Sequence, residues 1–410
     1  MSELPVTYAD IEQARKRIDD PTVVKRTPVE HSTSLASMTG ADEVILKLEH
    51  LQWTGSFKTR GAYNKISQSL DSDDPPASVV AASAGNHAQG VALAATKLGV
   101  DSTIVMPTTA PQTKVDATRG YGATVELVGK DFQAATSHAR SLAADQGGEF
   151  VHAFDDPAIV AGQGTLGLEM VEDVPDADTV IVPIGGGGLI SGIALAFAEH
   201  SPETRIVGVQ ADGAATVHDS LDKGAPRTLD EVDTIADGIA TGGISELTLS
   251  IIESHVDEVV TVSDAKIADA ILLLMERAKQ VVEGSGAASV AAMLSADLDV
   301  TDETVMPLLC GGNLDMTMLM ELVIHALTRR RQLLRLRIRI DDRPGKLEHI
   351  SGLIAEHGAN IQTVRHDRAL PDLDVGEANL VFRVETSGTE QASAIVSSLS
   401  DAGYDVDVVG

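Results

Sequence analysis

Four short segments of the chain combine residue types that could carry out chemistry. In the first, Lys58 stands between Phe57 and small residues, in the run Gly-Ser-Phe-Lys-Thr-Arg-Gly-Ala at 55–62. A lysine that loses water has a lowered pKa, and its neutral amine is then a nucleophile able to form a Schiff base. On its own the segment also fits a solvated surface charge, which is what most lysines are.

Two further segments stand where a predicted strand gives way to a predicted helix. The run Ser-Ala-Gly-Asn-His-Ala-Gln-Gly at 83–90 places hydroxyl, amide and backbone N–H groups at a helix N-terminus, which suits a carboxylate. The alternative is an ordinary N-cap turn. Four consecutive glycines at 185–188 leave backbone N–H groups open to a phosphate, or form a flexible turn. Their spacing fits neither a dinucleotide-binding loop nor a Walker-type loop.

The fourth segment, Leu-Leu-Cys-Gly-Gly-Asn at 308–313, contains Cys310 at the end of an apolar run. Taken alone, Cys310 is a buried structural cysteine. Since it is the single cysteine of the chain, an intramolecular disulfide is excluded, and no run of cysteines and histidines resembles a metal site.

The net charge of the chain disfavours some classes of binding partner. The 410 residues include 31 Lys plus Arg against 61 Asp plus Glu, a formal charge of −30, while 43% hydrophobic residues indicate a normal folded core. Such a charge repels nucleic-acid phosphates and anionic lipid. An acidic, lysine-poor surface suits a high-salt cytoplasm, and an acidic protein of an ordinary organism is the alternative. The N-terminal residues lack the pattern of a signal peptide, so we expect a cytoplasmic protein.

The elements that must position these segments alternate strand with helix. Apolar runs at 44–48, 79–82, 103–106, 124–128, 179–183 and 205–209 alternate with alanine-rich helical patterns, which predicts an α/β protein with parallel sheets covered by helices. Parallel sheets bind ligands at the carboxyl ends of their strands. After a short basic stretch, the order βαββαβ predicts a ferredoxin-like domain. We therefore predict a catalytic region at 1–328 with a smaller subdomain at about 55–150, a linker at 329–333 and a small domain at 334–410.

Taken together, SFKTRGA, SAGNHAQG, GGGGL and CGGN, in this order and at these separations, resemble the threonine dehydratase (threonine ammonia-lyase) family. These are fold-type II enzymes of the tryptophan synthase β type, which use pyridoxal 5'-phosphate. The tail, with Asp-Arg-Pro-Gly-Lys-Leu at 342–347 and His-Gly-Ala-Asn-Ile at 357–361, resembles an ACT domain. The resemblance thus covers the catalytic region and identifies the single-ACT form of the enzyme.

The resemblance implies a role for each matching residue. Lys58 would hold the cofactor covalently and Ser83 would act beside it on the substrate. The implied cofactor contacts are Phe57, Lys58, Asn86, Gly185, Gly186, Gly187, Gly188, Leu189, Gly238, Glu283 and Cys310. The implied substrate contacts are Ser83, Ala84, Gly85, Asn86 and His87. The implied effector contacts in the ACT domain are Asp341, Arg343, Gly345 and Asn360.

Two departures from related enzymes bear on the reaction. Cys310 stands where the family usually has a serine facing the pyridine nitrogen; a neutral thiol preserves a neutral partner there, with a weaker hydrogen bond. Ala84 stands where related serine racemases have a second serine as acid and base, which disfavours racemisation. Those racemases also bind a divalent ion through acidic residues after a strand that here reads Val-Gln-Ala-Asp-Gly at 209–213, so we predict no metal.

We therefore expect deamination of L-threonine to 2-oxobutanoate, with L-serine giving pyruvate, in a homodimer or homotetramer. An ACT domain implies regulation by an amino acid such as isoleucine or valine, and a purely dimerising role is its alternative. Related alternatives for the reaction are serine dehydratase, serine racemase and threo-3-hydroxyaspartate ammonia-lyase. An alternative of another class is a non-catalytic amino-acid sensor.

Overall fold

The structure is a computed structural model that describes residues 4–368 and 373–409. The chain divides after Leu314 into two compact units. The division lies ahead of the linker expected at 329–333, because helix Met316–Arg329 belongs to the second unit. The catalytic and regulatory roles of the two units stay predictions.

In its described part the first unit contains two sheets. The larger has the strand order β1-β2-β10-β7-β8-β9 and is parallel except for its antiparallel edge strand β1. The smaller has the order β5-β4-β3-β6 and is parallel throughout. The strands are β1 Val29–His31, β2 Glu43–Lys47, β3 Ser78–Ala82, β4 Asp101–Met106, β5 Thr124–Leu127, β6 Glu149–Phe150, β7 Thr179–Pro183, β8 Arg205–Ala211, β9 Glu258–Val262 and β10 Thr304–Pro307.

The helices of this unit follow the strands, as the sequence predicts for parallel sheets. They are α1 Tyr8–Arg17, α2 Thr33–Thr39, α3 Lys58–Leu70, α4 Asn86–Leu98, α5 Gln112–Gly120, α6 Phe132–Gln146, α7 Pro157–Asp173, α8 Gly188–His200, α9 Val217–Lys223, α10 Glu246–His255, α11 Asp264–Leu273 and α12 Gly284–Met293. Short helical turns lie at Glu49–Leu51, Asp212–Ala214, Asp237–Ile239 and Leu274–Ala278. Among the described residues, no helix is long and apolar enough to cross a membrane.

The larger sheet is covered by helices on both faces, as the burial of its central strands shows. Every residue of β7 is buried, which is typical of a parallel strand with helices on each side. Helices α7 and α8 cross closely over this sheet: a Cβ on Gly164 would lie 3.0 Å from the carbonyl oxygen of Gly192. Because β7 and β10 pair in parallel, their carboxyl ends lie side by side. These ends lead into the segments at 184–188 and 308–313.

The second unit, in the part that the structure describes, begins with α13 Met316–Arg329 and continues as βαββαβ. Its elements are β11 Leu333–Asp341, α14 Lys346–Glu356, β12 Asn360–Asp367, β13 Glu377–Glu385, α15 Thr389–Asp401 and β14 Asp405–Val408. The strands form an antiparallel sheet of order β12-β13-β11-β14. Buried and exposed residues alternate along β11, since helices cover one face of this sheet. The arrangement confirms the predicted ACT-like fold.

Candidate active site

A cleft in the first unit brings together many of the residues that the sequence singles out, although Glu283 and the residues at 83–87 are not part of its walls. Its walls include Phe57, Lys58, Gly238, Cys310 and the five residues 185–189. They come from the start of α3, the turn after β7, the helical turn at Asp237–Ile239 and the segment after β10. Strands whose carboxyl ends meet at one edge of a sheet bring such distant segments together.

Lys58 is the first residue of α3, at the predicted change from loop to helix. Its Nζ donates to the carbonyl oxygen of Ala153 at 3.3 Å and lies 4.8 Å from the ring centre of Phe57. Burial lowers the pKa of this amine to about 8, from a usual value near 10.5. A large fraction of the Lys58 side chain is therefore neutral at mildly alkaline pH, as a nucleophile or base requires.

The four-glycine turn is closely packed. Its shape is fixed by neighbours: a Cβ on Gly186 would lie 2.2 Å from the ring of Phe154, and one on Gly187 would lie 2.8 Å from Thr248. Gly187 also has a φ of +89°, and Thr248 Oγ1 donates to the carbonyl oxygen of Gly186 at 2.9 Å. No side chain caps α8, so its first backbone N–H groups are left for a ligand. These features fit an anion cradle.

Cys310 is buried, and burial raises the pKa of its thiol to about 12. Its Sγ donates to the carbonyl oxygen of Ser285 at 3.5 Å. The thiol is therefore uncharged at any physiological pH. A neutral thiol agrees with the partner expected for a pyridine nitrogen, and that role of Cys310 stays a prediction.

Asn86 and Glu283 join the smaller sheet to the larger one. Asn86 Nδ2 donates to Glu283 Oε1 at 2.7 Å, and Asn86 Oδ1 accepts from Asn313 Nδ2 at 2.6 Å. Burial raises the pKa of Glu283, although Ser285 and Asn86 donate to its carboxylate. Gly238 lies close to the same group, since a Cβ there would come within 2.8 Å of Glu283 Oε1.

The turn at 83–87 has free space around Gly85, unlike the glycine turn, whose residues are closely packed by their neighbours. Ser83 Oγ accepts from the backbone N–H of Gly85 at 3.1 Å, and a Cβ on Gly85 would meet nothing within 4 Å. The ring of His87 is buried, and its Nε2 lies 3.0 Å from the carbonyl oxygen of Val151, so a substrate contact of His87, which stays a prediction, would involve its backbone. Burial lowers the pKa of His87 to about 3, so the ring is a neutral packing group.

The residues of the cleft fit pyridoxal phosphate. The glycine turn presents uncapped backbone N–H groups that would bind a phosphate, the Lys58 amine would react with the cofactor's aldehyde, and the Cys310 thiol is neutral. The model of the pyridoxal-phosphate dependent enzyme family matches residues 21–311. The chain belongs to that family. This confirms the family and the cofactor expected from the sequence.

Full-length and structural relatives agree with this assignment. The chain is 43% identical to the L-threonine ammonia-lyase of Thermotoga maritima, over 99% of this chain and 100% of that protein. The structure of threonine deaminase isoform 2 from Solanum lycopersicum is similar, with TM-score 0.72, 36% identity, 79% of this chain and 92% of that one. So is maize serine racemase, with TM-score 0.73, 35% identity, 80% of this chain and 99% of that one.

The structure adds residues that the sequence patterns did not indicate. Phe154 and Thr248 shape the glycine turn, and Asn313 holds Asn86 in place. Asn313 stands in the CGGN segment itself, so that motif carried a signal for it. Lys114 Nζ lies 2.9 Å from Asp237 Oδ2 and so links α5 to the turn that contains Gly238. No periodicity or spacing connects residues 114 and 237.

In the segment at 209–213, the amide side chain of Gln210 forms hydrogen bonds with the backbone that follows the segment. Gln210 Oε1 accepts from the backbone N–H groups of Thr216 and Val217 at 2.9 Å each, and Gln210 Nε2 donates to the carbonyl oxygen of Ala214 at 3.3 Å. Among the described residues, no group of three or more His, Cys, Asp or Glu could hold a metal ion. The absence of a structural metal ion stays a prediction, and the Gln210 amide gives it a physical reason.

The predicted effector contacts of the second unit do not all lie together. Asp341, Arg343 and Gly345 stand at the turn from β11 to α14, where Gly345 has a φ of +90°. Asn360 begins β12 at the opposite end of the sheet, paired with Glu385, whereas Asp341 pairs with Glu377. Within a single chain these residues therefore lie at two ends of the sheet, and the effector site expected at an interface between paired domains stays a prediction. The cause of the separation is the βαβ connection, because α14 returns the chain to the starting end of β11.

Proposed function

We propose that this protein is an L-threonine ammonia-lyase, which converts L-threonine to 2-oxobutanoate and ammonia with pyridoxal phosphate as cofactor. The observation that carries the proposal is that the partly buried Lys58, whose pKa is lowered, lines the same cleft as the glycine turn. The end-to-end similarity to the Thermotoga maritima enzyme supports the choice of substrate.

Each part of the cleft has a task in this proposal. The backbone N–H groups of residues 185–189 hold the cofactor phosphate, and Cys310 contacts the pyridine nitrogen. Asn86, held by Glu283 and Asn313, binds the ring hydroxyl. When bound, the cofactor stabilises the electron pair left on Cα after its proton is removed.

Lys58 acts as the base. In its neutral form it accepts the Cα proton, and burial keeps that form populated. The open turn at Ser83, Ala84 and Gly85 binds the substrate carboxylate through the Ser83 hydroxyl and the N–H groups at the start of α4. The β-hydroxyl takes up one proton, which balances the proton removed from Cα, and leaves as water. Hydrolysis of the released enamine product gives the oxo acid and ammonia. L-serine reacts in the same way, since one missing methyl discriminates by only about 10 to 200-fold.

A serine racemase is the second candidate, because the structure of the maize enzyme is similar. Racemisation needs a proton donor on the face of Cα opposite Lys58. Ala84 has no proton to give, and the His87 ring is turned to Val151. These two side chains favour elimination over racemisation.

The deciding experiment measures 2-oxobutanoate from L-threonine, pyruvate from L-serine and D-serine from L-serine, in molar KCl with pyridoxal phosphate. Lys58→Ala is the test variant. Lys97→Ala is the matched control, because Lys97 contacts only the Thr22 hydroxyl at an exposed site. We expect threonine turnover that is lost in the first variant and kept in the second. Dominant D-serine formation would favour the racemase, and failure to bind the cofactor would favour the amino-acid sensor.

We further propose that the second unit binds an amino-acid effector between two copies of the chain. Strand β12 is an edge of its sheet. Antiparallel pairing of β12 with β12 of a second copy would bring the first residue of one strand beside the last residue of the other, and so carry Asn360 to the β11–α14 turn of its neighbour. Calorimetric titration with isoleucine tests this, and loss of binding in both Arg343→Ala and Asn360→Ala is the expected result. A monomer in solution would contradict it.

A further inference from the structure

Behind the first turn of α3, on a different side from the cleft, lies a buried network of charges centred on Arg60. Arg60 is 1% exposed and Glu49 is fully buried. Arg60 Nε and Nη2 donate to the two oxygens of Glu49, at 2.7 and 3.1 Å. Arg60 Nη1 lies 2.8 Å from Glu169 Oε1 and donates to Thr165 Oγ1 at 3.3 Å. The guanidinium thus reaches both the turn after β2 and helix α7.

The carboxylates of this network also have partners other than Arg60. Lys47, fully buried in β2, places its Nζ 3.0 Å from Glu169 and 2.8 Å from Asp173. Thr27 Oγ1 donates to Glu49 Oε2 at 2.6 Å. Because every charge has a partner on another element, rotation or translation of α3 would leave a buried charge unpaired, which is strongly unfavourable.

The residues of α3 that follow Arg60 pack so closely against α7 that the backbones of the two helices are almost in contact. The N–H of Gly61 donates to Gln163 Oε1 at 3.1 Å, and Asn64 Nδ2 donates to the carbonyl oxygen of Ala158 at 2.7 Å. A Cβ on Gly162 would lie 2.6 Å from the Cα of Gly61. The helix that begins with Lys58 is therefore fixed along its first two turns.

The N-cap position of α3 gives the helix no side-chain hydrogen bond. Phe57 stands there, whereas a serine caps α2 and an aspartate caps α6. The backbone N–H of Phe57 donates to the carbonyl oxygen of Cys310 at 3.3 Å, and the Lys58 side chain donates to Ala153. The Arg60 network adds to these contacts by fixing the residues that directly follow Lys58.

We propose that Arg60 is a positioning residue for Lys58: by clamping the first turn of α3 between Glu49 and Glu169, it holds the Lys58 amine dehydrated in the cleft. This inference rests on the proposed role of Lys58. It assigns Arg60 no contact with substrate or cofactor. Arginine is suited to the task because its planar fork binds Glu49 through two parallel hydrogen bonds, which a lysine cannot reproduce.

The test compares Arg60→Lys with the same change at Arg26, which pairs with Glu172 and Asp173 at the exposed rim of the network. The full-length chain is freed of cofactor with hydroxylamine in molar KCl. Trace labelling with acetic anhydride across pH 6–11, read by mass spectrometry of the Lys58 peptide, then titrates that amine. The reloaded proteins are assayed for kcat and KM with L-threonine, and their melting temperatures are recorded.

For Arg60→Lys we expect the Lys58 titration midpoint to rise by about one pH unit, so that labelling at pH 7 falls about tenfold. We also expect kcat to fall at least tenfold, with KM within twofold. Arg26→Lys should match the wild type in each measurement. If Arg60→Lys does not fold, Thr165→Val removes one of the hydrogen bonds and keeps every charge, and should lower labelling and kcat about twofold to threefold.

Two results would overturn the proposal. One is a folded Arg60→Lys variant whose Lys58 titration and kcat equal those of the wild type. The other is a fall in melting temperature with an unchanged Lys58 titration, which would reduce Arg60 to a stabilising residue. The labelling needs no turnover, so a wild-type protein inactive on threonine would count against the proposed function and leave the labelling result to decide the role of Arg60.

Discussion

Two strand-to-helix turns of the proposed site are built in opposite ways. The turn from β7 to α8 lines the cleft and is packed against its neighbours, with Phe154 and Thr248 against positions 186 and 187. The turn from β3 to α4 has open space at Gly85 and a hydrogen bond from its backbone to Ser83. A ligand that stays bound favours a rigid cradle, whereas one that enters and leaves in each cycle needs an accessible turn. Under the proposed function, we expect the closed turn to hold the cofactor and the open turn to bind the substrate.

The largest expected effect comes from filling the closed turn. Gly186→Ala places a Cβ 2.2 Å from the Phe154 ring, and such overpacking costs about 1–3 kcal/mol. We expect the affinity for pyridoxal phosphate to fall by up to about 100-fold, measured by absorbance titration. Gly186→Ala combined with Phe154→Ala should recover part of the loss. Equal cofactor affinity in wild type and Gly186→Ala would remove the distinction between the turns.

A second prediction concerns the pH dependence of the reactivity of Lys58. Because the pKa of Lys58 is lowered to about 8, its reactive neutral form increases as pH rises and saturates above that value. The rate at which the apoprotein captures pyridoxal phosphate should rise about tenfold from pH 7 to pH 9 and then level off. Stopped-flow absorbance measures this rate. A lysine in water would instead keep gaining about tenfold per unit up to pH 10, so a continued rise contradicts a dehydrated amine.

The smallest expected effect concerns the open turn. Ser83→Ala removes a hydroxyl proposed to bind the substrate carboxylate, and hydrogen bonds to charged groups contribute about 1.5–3 kcal/mol. We expect KM for L-threonine to rise about tenfold, with cofactor affinity within twofold. Ser72→Ala is the matched control, because the Ser72 hydroxyl is exposed and donates to the carbonyl oxygen of Ser69 at 2.7 Å, and it should change both constants less than threefold. Loss of cofactor affinity in Ser83→Ala would show that the open turn holds the cofactor as well.

Much of the fold could be predicted from local pattern. The strand at 179–183 and the helix at 188–200 agree with β7 and α8, since a buried apolar run and an alanine-rich periodic run have few other uses. The order βαββαβ was equally visible in the alternation along β11 and β13. These features depend on residues close in sequence.

The parts that sequence did not reveal depend on distant residues. The clamp on Arg60 joins positions 49, 60 and 169, and the link from Asn86 runs to positions 283 and 313. The distance between Asn360 and the β11–α14 turn follows from the direction of a connection. His87 stands in a motif, yet packing against Val151 decided where its ring points.

The sequence by itself determined the α/β class, the family and the cofactor, and it indicated Lys58 as the candidate lysine, because these features depend on hydrophobic periodicity and on short motifs of fixed composition. Only the tertiary structure decided which turn is closed, how far Lys58 is dehydrated and which residues hold it. Those properties are set by burial and by contacts between elements far apart in the chain, which no local pattern encodes.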